Sequence, residues 1–207
     1  MLQKEYQVAV QDEQEVNLLE ETFTSKRQKI HTKIYSSMTE ERLRTNKLII
    51  SYSIAAPIER VFKAVAEKSA KDMHPKLNYN DLKQNTFYYS SGKNNKNPFK
   101  ITELKINEVI TIEFFAKDQQ FIKTLKFKAN KKNTKTKITF IDVVTGTTSI
   151  LGWYEKHIKN VYIKRMTIAF KIQIKQAQLD LNLISKTKIE KVKNEIIKLI
   201  EYSKKLF

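Results

Sequence analysis

Apolar and polar residues alternate along 47–54, where Leu48, Ile50, Tyr52 and Ile54 share one side of an extended chain. That period of two predicts a half-buried strand. Ala55-Ala56-Pro57 closes it, and Pro57 suits the first turn of a helix, where its missing N–H would be unpaired anyway. Val61, Phe62, Val65 and Ala66 mark a helical face running to about Lys71, and His74-Pro75 breaks it. Strand-like runs follow at 86–90, 99–106, 109–116, 120–129 and 136–144, joined by short polar turns at 92–98, 107–108, 117–118 and 130–135. Connections this short predict neighbouring antiparallel strands.

After Thr145-Gly146-Thr147-Thr148 the period becomes helical, from about Ile150 to Asn182. Ile158, Tyr162, Met166, Ala169, Gln173 and Ala177 trace one stripe, widened by Phe170, Ile174 and Leu181. A face that broad must cover a sheet. A last helix carries Ile189, Val192, Ile196, Leu199, Ser203 and Leu206 on a three-and-four seam, with Thr187 and Glu190 spaced as a capping box. At the other end, Val16, Leu19 and Phe23 predict a short amphipathic helix over 12–23. The polar stretch 25–45 reads as a weakly ordered connection with some strand or helix around Ile30 to Tyr35.

The chain has 207 residues, with 41% hydrophobic, 10% aromatic and 29% charged, enough apolar material for one core with extensions. No run of ~18 apolar residues appears, and the first residues lack a secretory layout, so a cytoplasmic protein is expected. Zero Cys excludes disulfides, cysteine nucleophiles and thiolate metal sites. The formal charge is +17, from 39 Lys+Arg of which only five are Arg. Phosphate readers favour the planar fork of Arg, and Lys, Ile and Asn all come from AT-rich codons. The charge therefore says less about nucleic acid than its size suggests. It is also uneven: residues 1–22 hold six acidic side chains against Lys4 alone.

The stretch "ISYSIAAPIERVFKAV" resembles the usual entry of the START-like, birch-allergen-like helix-grip superfamily, a strand ending in Ala-Pro before a helix. The order strand, helix, antiparallel meander, long helix is similar to the same fold. More narrowly, "TSILGWYEKHIKNVYIKRMTIAFKIQIKQ" resembles the C-terminal helix of an uncharacterised bacterial domain-of-unknown-function family within it. The resemblance implies an α+β helix-grip domain over 46–183, a curved antiparallel sheet packed on a long helix. A helical leader (1–45) and a final amphipathic helix (184–207) flank it. The resemblance also implies either a hydrophobic ligand held between sheet and long helix or simple partner binding, a few members of the superfamily being enzymes, and supplies no catalytic residue to carry over.

The chemistry is sparse. Three Gly cannot make a phosphate-cradling loop. His31, His74 and His157 are scattered, and Glu155 and His157 at i and i+2 do not face each other on a helix. No catalytic, metal or cofactor site is expected. Tyr52, Phe114, Phe127, Phe140, Tyr162, Met166 and Phe170 sit where they face either a filled core or a ligand cavity. Glu113 and Asp142 lie within strands, and bulges would decide which way each points. Basic candidates cluster on one hairpin, with Lys126, Lys128, Lys131 and Lys132 beside Lys123, Lys135 and Lys137. A second set, Lys159, Lys164 and Arg165, lies on the long helix with Lys156, Lys171 and Lys175. Two main readings stay open. One is a non-enzymatic binder of a small hydrophobic or lipid-like molecule. The other is a basic adaptor for nucleic acid, ribosome or anionic membrane through its Lys faces. An enzyme is a third. The 187–207 helix is expected to pack on a partner, either the Val16–Leu19–Phe23 face of the leader or a second copy of the chain.

Overall fold

The computed structural model describes residues 8–36, 45–91, 97–116, 119–146 and 153–206, without the side chains of 31, 33–36 and 153–156. Of the turn expected at 92–98, residues 92–96 lie outside these residues while 97–98 open a strand. The turn at 117–118 and residues 147–152, where the long helix is expected to begin, lie outside too, as does the Lys156 side chain. The elements in chain order are α1 (Glu13–Ser36), β1 (Thr45–Ile54), α2 (Ile58–Met73), β2 (Thr86–Ser90), β3 (Asn97–Lys105), β4 (Val109–Ala116), β5 (Gln119–Ala129), β6 (Thr136–Gly146), α3 (Trp153–Asp180) and α4 (Lys186–Lys204). A single 3-10 turn, Tyr79–Asp81, joins α2 to β2. The fold is α+β, a helix-grip arrangement in which a six-stranded antiparallel sheet, ordered β1-β6-β5-β4-β3-β2, packs on the long helix α3.

Strand alternation decides the two faces. Ile54, Ile110, Leu125, Phe127 and Ile138 point inward and join Val61, Phe62 and Val65 of α2 with Phe170, Ile174 and Ala177 of α3 in the main core. Registers β4–β5, β5–β6 and β1–β6 run without a shift, and the one irregularity falls between Ile101 and Glu103 on β3. Side-chain parity is therefore kept across the strands that carry the interior.

The leader differs from expectation. Instead of ending near Phe23, α1 continues to Ser36, because its stripe goes on through Arg27 and the buried Ile30. It lies on the outer face of the sheet. Phe23 meets Phe87 and Phe115 edge-on at 5.0 and 4.9 Å. The Tyr89 hydroxyl donates to Glu15 Oε1 at 2.7 Å, Lys100 pairs with Glu20, and Arg27 grips Glu113. Before the helix, residues 8–10 run antiparallel to β2, Val10 N–H donating to Phe87 O and Tyr89 N–H to Val8 O, both at 2.9 Å. The acidic leader is thus fastened to a basic and aromatic sheet face. Its Val16–Leu19–Phe23 face is taken and is not the partner of the last helix.

That helix, α4, packs instead on α3, with Ile196 buried and Lys175 Nζ 2.6 Å from Glu195 Oε2. The change of direction comes at Asn182, whose φ of 55° lets α3 end in a left-handed cap, with Leu183 N–H donating to Gln178 O at 3.0 Å. No Thr187–Glu190 capping box forms: the helix starts at Lys186, with Ser185 at its N-cap. Thr187 is already inside the first turn. On α3, Ile158 is exposed rather than sheet-facing, and the buried stripe runs through Phe170, Ile174, Ala177 and Leu181. Helix α2 receives a cap that no local pattern announces. Ile58 N–H donates at 2.9 Å to Oδ1 of Asn133, in the β5–β6 turn 75 residues away.

Candidate functional site

A cavity of 230 Å³ lies where β4, β5 and β6, the middle of α3 and the end of α2 meet. Its walls are mostly apolar: Ile110, Ile112, Leu125, Phe140, Met166 and Phe170. Ser69, Asp72, Lys123 and Gln173 supply its polar groups. Gln173 Nε2 donates to Ser69 Oγ at 2.6 Å, a clasp between α3 and α2. Exposed Asp72 and Ala169 stand at the rim, and Asp72 pairs with Lys68 at 2.8 Å.

Three of the seven aromatic and Met candidates, Phe140, Met166 and Phe170, come together in this wall. Tyr52 packs behind it, 5.5 Å from the Phe170 ring. Phe127 is part of the closed core, 4.9 Å from Phe62. Phe114 stacks on Phe121 at 4.8 Å, and Tyr162 lies beyond Phe121 at 6.5 Å.

The polar end of the cavity departs from expectation. Lys123, grouped by sequence with the surface lysines, has the parity of Phe121 and Leu125 and points inward. Its Nζ lies 3.6 Å from Met166 Sδ and 5.4 Å from the Phe114 ring centroid. Directly across the strand pair is Asp142, 1% exposed and also inward. Asp142 Oδ2 accepts the Tyr162 hydroxyl, while Oδ1 is buried with no hydrogen-bond partner among the described residues. Burial pushes the Asp142 carboxyl above its ordinary range, against the opposing pull of Lys123 and Tyr162. Burial also lowers the Lys123 ammonium, with Asp142 acting the other way. Tyr162 is raised, by burial first and by its bond to Asp142 second. The signal was parity: Asp142 follows Ile138 and Phe140 at steps of two, just as Lys123 follows Phe121.

Glu113, the other strand carboxylate, has the opposite parity to Ile112 and Phe114 and faces α1. Arg27 Nε and Nη2 donate to its two oxygens at 2.8 and 2.6 Å, and Gln120 Nε2 adds a third bond at 2.7 Å. Burial pulls the Glu113 carboxyl up, but these bonds and the charges of Arg27 and Lys100 outweigh it, and the net shift is downward.

The basic candidates do not form one surface. Lys126 and Lys128 stand on the outer sheet face, Lys128 opposite Lys137, beside an open groove of 450 Å³ that also holds Lys105, Glu103 and Glu108. Lys131 and Lys132 are exposed at the β5–β6 turn. That turn meets the start of α2, where Arg60 Nη2 donates to Leu181 O at the end of α3. Exposed Lys159 and Lys164 and half-buried Arg165 lie toward the other end of α3, roughly 25–30 Å away along its axis at 1.5 Å per residue. Lys175 is committed to Glu195. His74 Nδ1 accepts Lys76 N–H at 3.1 Å, and the described residues contain no metal-binding cluster. No described helix is long and apolar enough to cross a membrane.

No family model matches the chain, and a search of curated proteins finds no match. Among solved structures, CalU16 from Micromonospora echinospora aligns with a TM-score of 0.46 at 10% identity, over 73% of this chain and 84% of its own. MLL2253 from Mesorhizobium loti aligns with a TM-score of 0.47 at 9% identity, over 68% and 99%. Ara h 8.0201 aligns with a TM-score of 0.44 at 11% identity, over 68% and 99%. At these scores the likenesses say nothing of ligand or reaction. The functional argument rests on the cavity itself.

Proposed function

We propose that this protein is a non-enzymatic binding protein that holds a small, largely apolar molecule between its sheet and α3. The observation that carries the reading is the 230 Å³ space lined by Ile110, Ile112, Phe140, Met166 and Phe170, with a few polar groups at its ends. Apolar walls with sparse convergent polar groups are the common design of small-molecule sites. The volume lies below the range of about 300 Å³ and upward that houses drug-sized ligands, so the occupant is small.

The test is to fill the space. Ala169→Trp puts an indole at the rim, while Ile158→Trp, at an exposed position on the same helix, serves as control. Native mass spectrometry of the purified protein and displacement of a solvatochromic dye are the readouts. The expected result is a bound small molecule and dye uptake in the wild type and control, both lost in Ala169→Trp. Equal dye uptake by all three proteins, with no co-purifying species, would rule the reading out.

A further inference from the structure

Resting on that cavity being a ligand site, we infer that its occupant is a small carboxylic acid, whose carboxylate accepts hydrogen bonds from Lys123 Nζ. Its apolar body lies against Ile110, Phe140 and Phe170.

The argument starts from the cost of placing an ammonium at a core-facing strand position. An amine buried there requires a counter-charge and acceptors for its three donors. The natural candidate is Asp142, directly opposite on β6. Lys123 Nζ nevertheless makes no ion pair with it, lies next to the Met166 thioether and opens onto the cavity. Asp142 is held by Tyr162 on α3 instead. A thioether is a weak acceptor, so the donors of Nζ face a space walled mostly by hydrocarbon, with Ser69 and Gln173 bonded to each other and Asp72 at the rim. A hydrocarbon ligand would leave them unmet, and an alcohol would meet them with a neutral acceptor. A carboxylate supplies charge and lone pairs together, and charge-assisted bonds are roughly twice as strong as neutral ones.

The same surroundings argue against a phosphate. Among the described residues Lys123 is the one cation lining the wall; Asp142 lies across the strand pair, and Asp72 at the rim is already paired with Lys68. A dianion would leave one of its two charges without a cation. A monoanion balances Lys123 alone, the more so because burial already disfavours the charged form of Asp142. The cation–π contact of Lys123 with Phe114 holds the amine at the polar end of the cavity.

Isothermal titration of the whole protein with matched sets settles the matter: hexanoate, 1-hexanol and hexanamide, then phenylacetate, 2-phenylethanol and phenylacetamide. In the wild type each acid should bind about ten- to a hundredfold tighter than its alcohol, the span expected for one hydrogen bond to a charged group. In Lys123→Met, which removes the charge and most closely keeps the unbranched shape, that preference should vanish while the alcohols still bind. Lys123→Gln should behave the same way and guards against a folding defect peculiar to one variant. Equal affinity of acid and alcohol in the wild type, or an acid preference surviving in both variants, overturns the inference and leaves the cavity reading standing. Binding of no member by any of the proteins overturns both.

Discussion

Replacing Arg27 by Met leaves the apolar stem on α1 and strips two charge-assisted hydrogen bonds, at 2.8 and 2.6 Å, from Glu113. The Glu113 side chain is 5% exposed and that of Arg27 is 34% exposed. Removing one partner of a fully buried pair costs about 3–5 kcal/mol, chiefly because the other charge is stranded. Here the cost is smaller. The arginine end is partly in water, Gln120 still donates at 2.7 Å, and the Lys100 charge remains close enough to act on the carboxylate. About 2 kcal/mol is the working figure, which for a chain of this size lowers Tm by about 4–8 °C. Urea unfolding followed by far-UV circular dichroism measures it. Glu113→Gln in the Arg27→Met background should recover part of the loss, since it removes the stranded charge. The double-mutant cycle should return a coupling of about 1–2 kcal/mol. A loss below about 0.5 kcal/mol, the level of an ordinary surface change, would refute the claim that this pair anchors α1 to the sheet.

The same carboxylate sets an acid limit. Glu113 is held below its ordinary value of 4.5 in the fold, so its stabilisation is present above that value and is lost as pH falls through the lower folded value. In acid melts, Arg27→Met should therefore show a shallower decline below pH 4.5 than the wild type. Lys123→Met should leave stability at pH 7 unchanged or raise it by about 1 kcal/mol, because it replaces a charge that burial disfavours with a thioether of similar length. A large loss in thermal unfolding would contradict that. Binding of hexanoate should weaken as pH rises, beginning below the ordinary lysine value of 10.5, because burial lowers the Lys123 ammonium despite Asp142 opposite. Calorimetric titrations from pH 7 to 10 test it, with Asp142 opposite the amine and Tyr162 bonded to Asp142 as the ionisable groups packed against it. Asn133→Gly keeps the backbone free at a φ of 49° and removes the cap of α2. Thermal unfolding should report a loss of about 1 kcal/mol.

Strand periodicity made the two faces of the sheet legible, including the positions that hold its buried charges. Lys123 shares parity with Phe121 and Leu125, and Asp142 with Ile138 and Phe140, so both were inward positions in the bare sequence. The leader was harder to read, because its stripe is interrupted by Arg27, a residue that looks like solvent until a buried acid is found for it. The final helix showed its seam but not its partner, since an apolar face specifies that something covers it without saying what.

The sequence by itself determined the order of strands and helices, the inward and outward faces of the strands, and the absence of any thiol or phosphate-loop chemistry. These follow from local periods of 2 and 3.6 and from composition. Only the tertiary structure decided that α1 covers the outer sheet face, that α4 lies on α3 and that Asn133 caps α2. It alone showed that Asp142 is claimed by Tyr162 while Lys123 faces the cavity. Those choices depend on which distant groups meet at hydrogen-bond distance, and the periodicity of one segment carries no information about what lies opposite it.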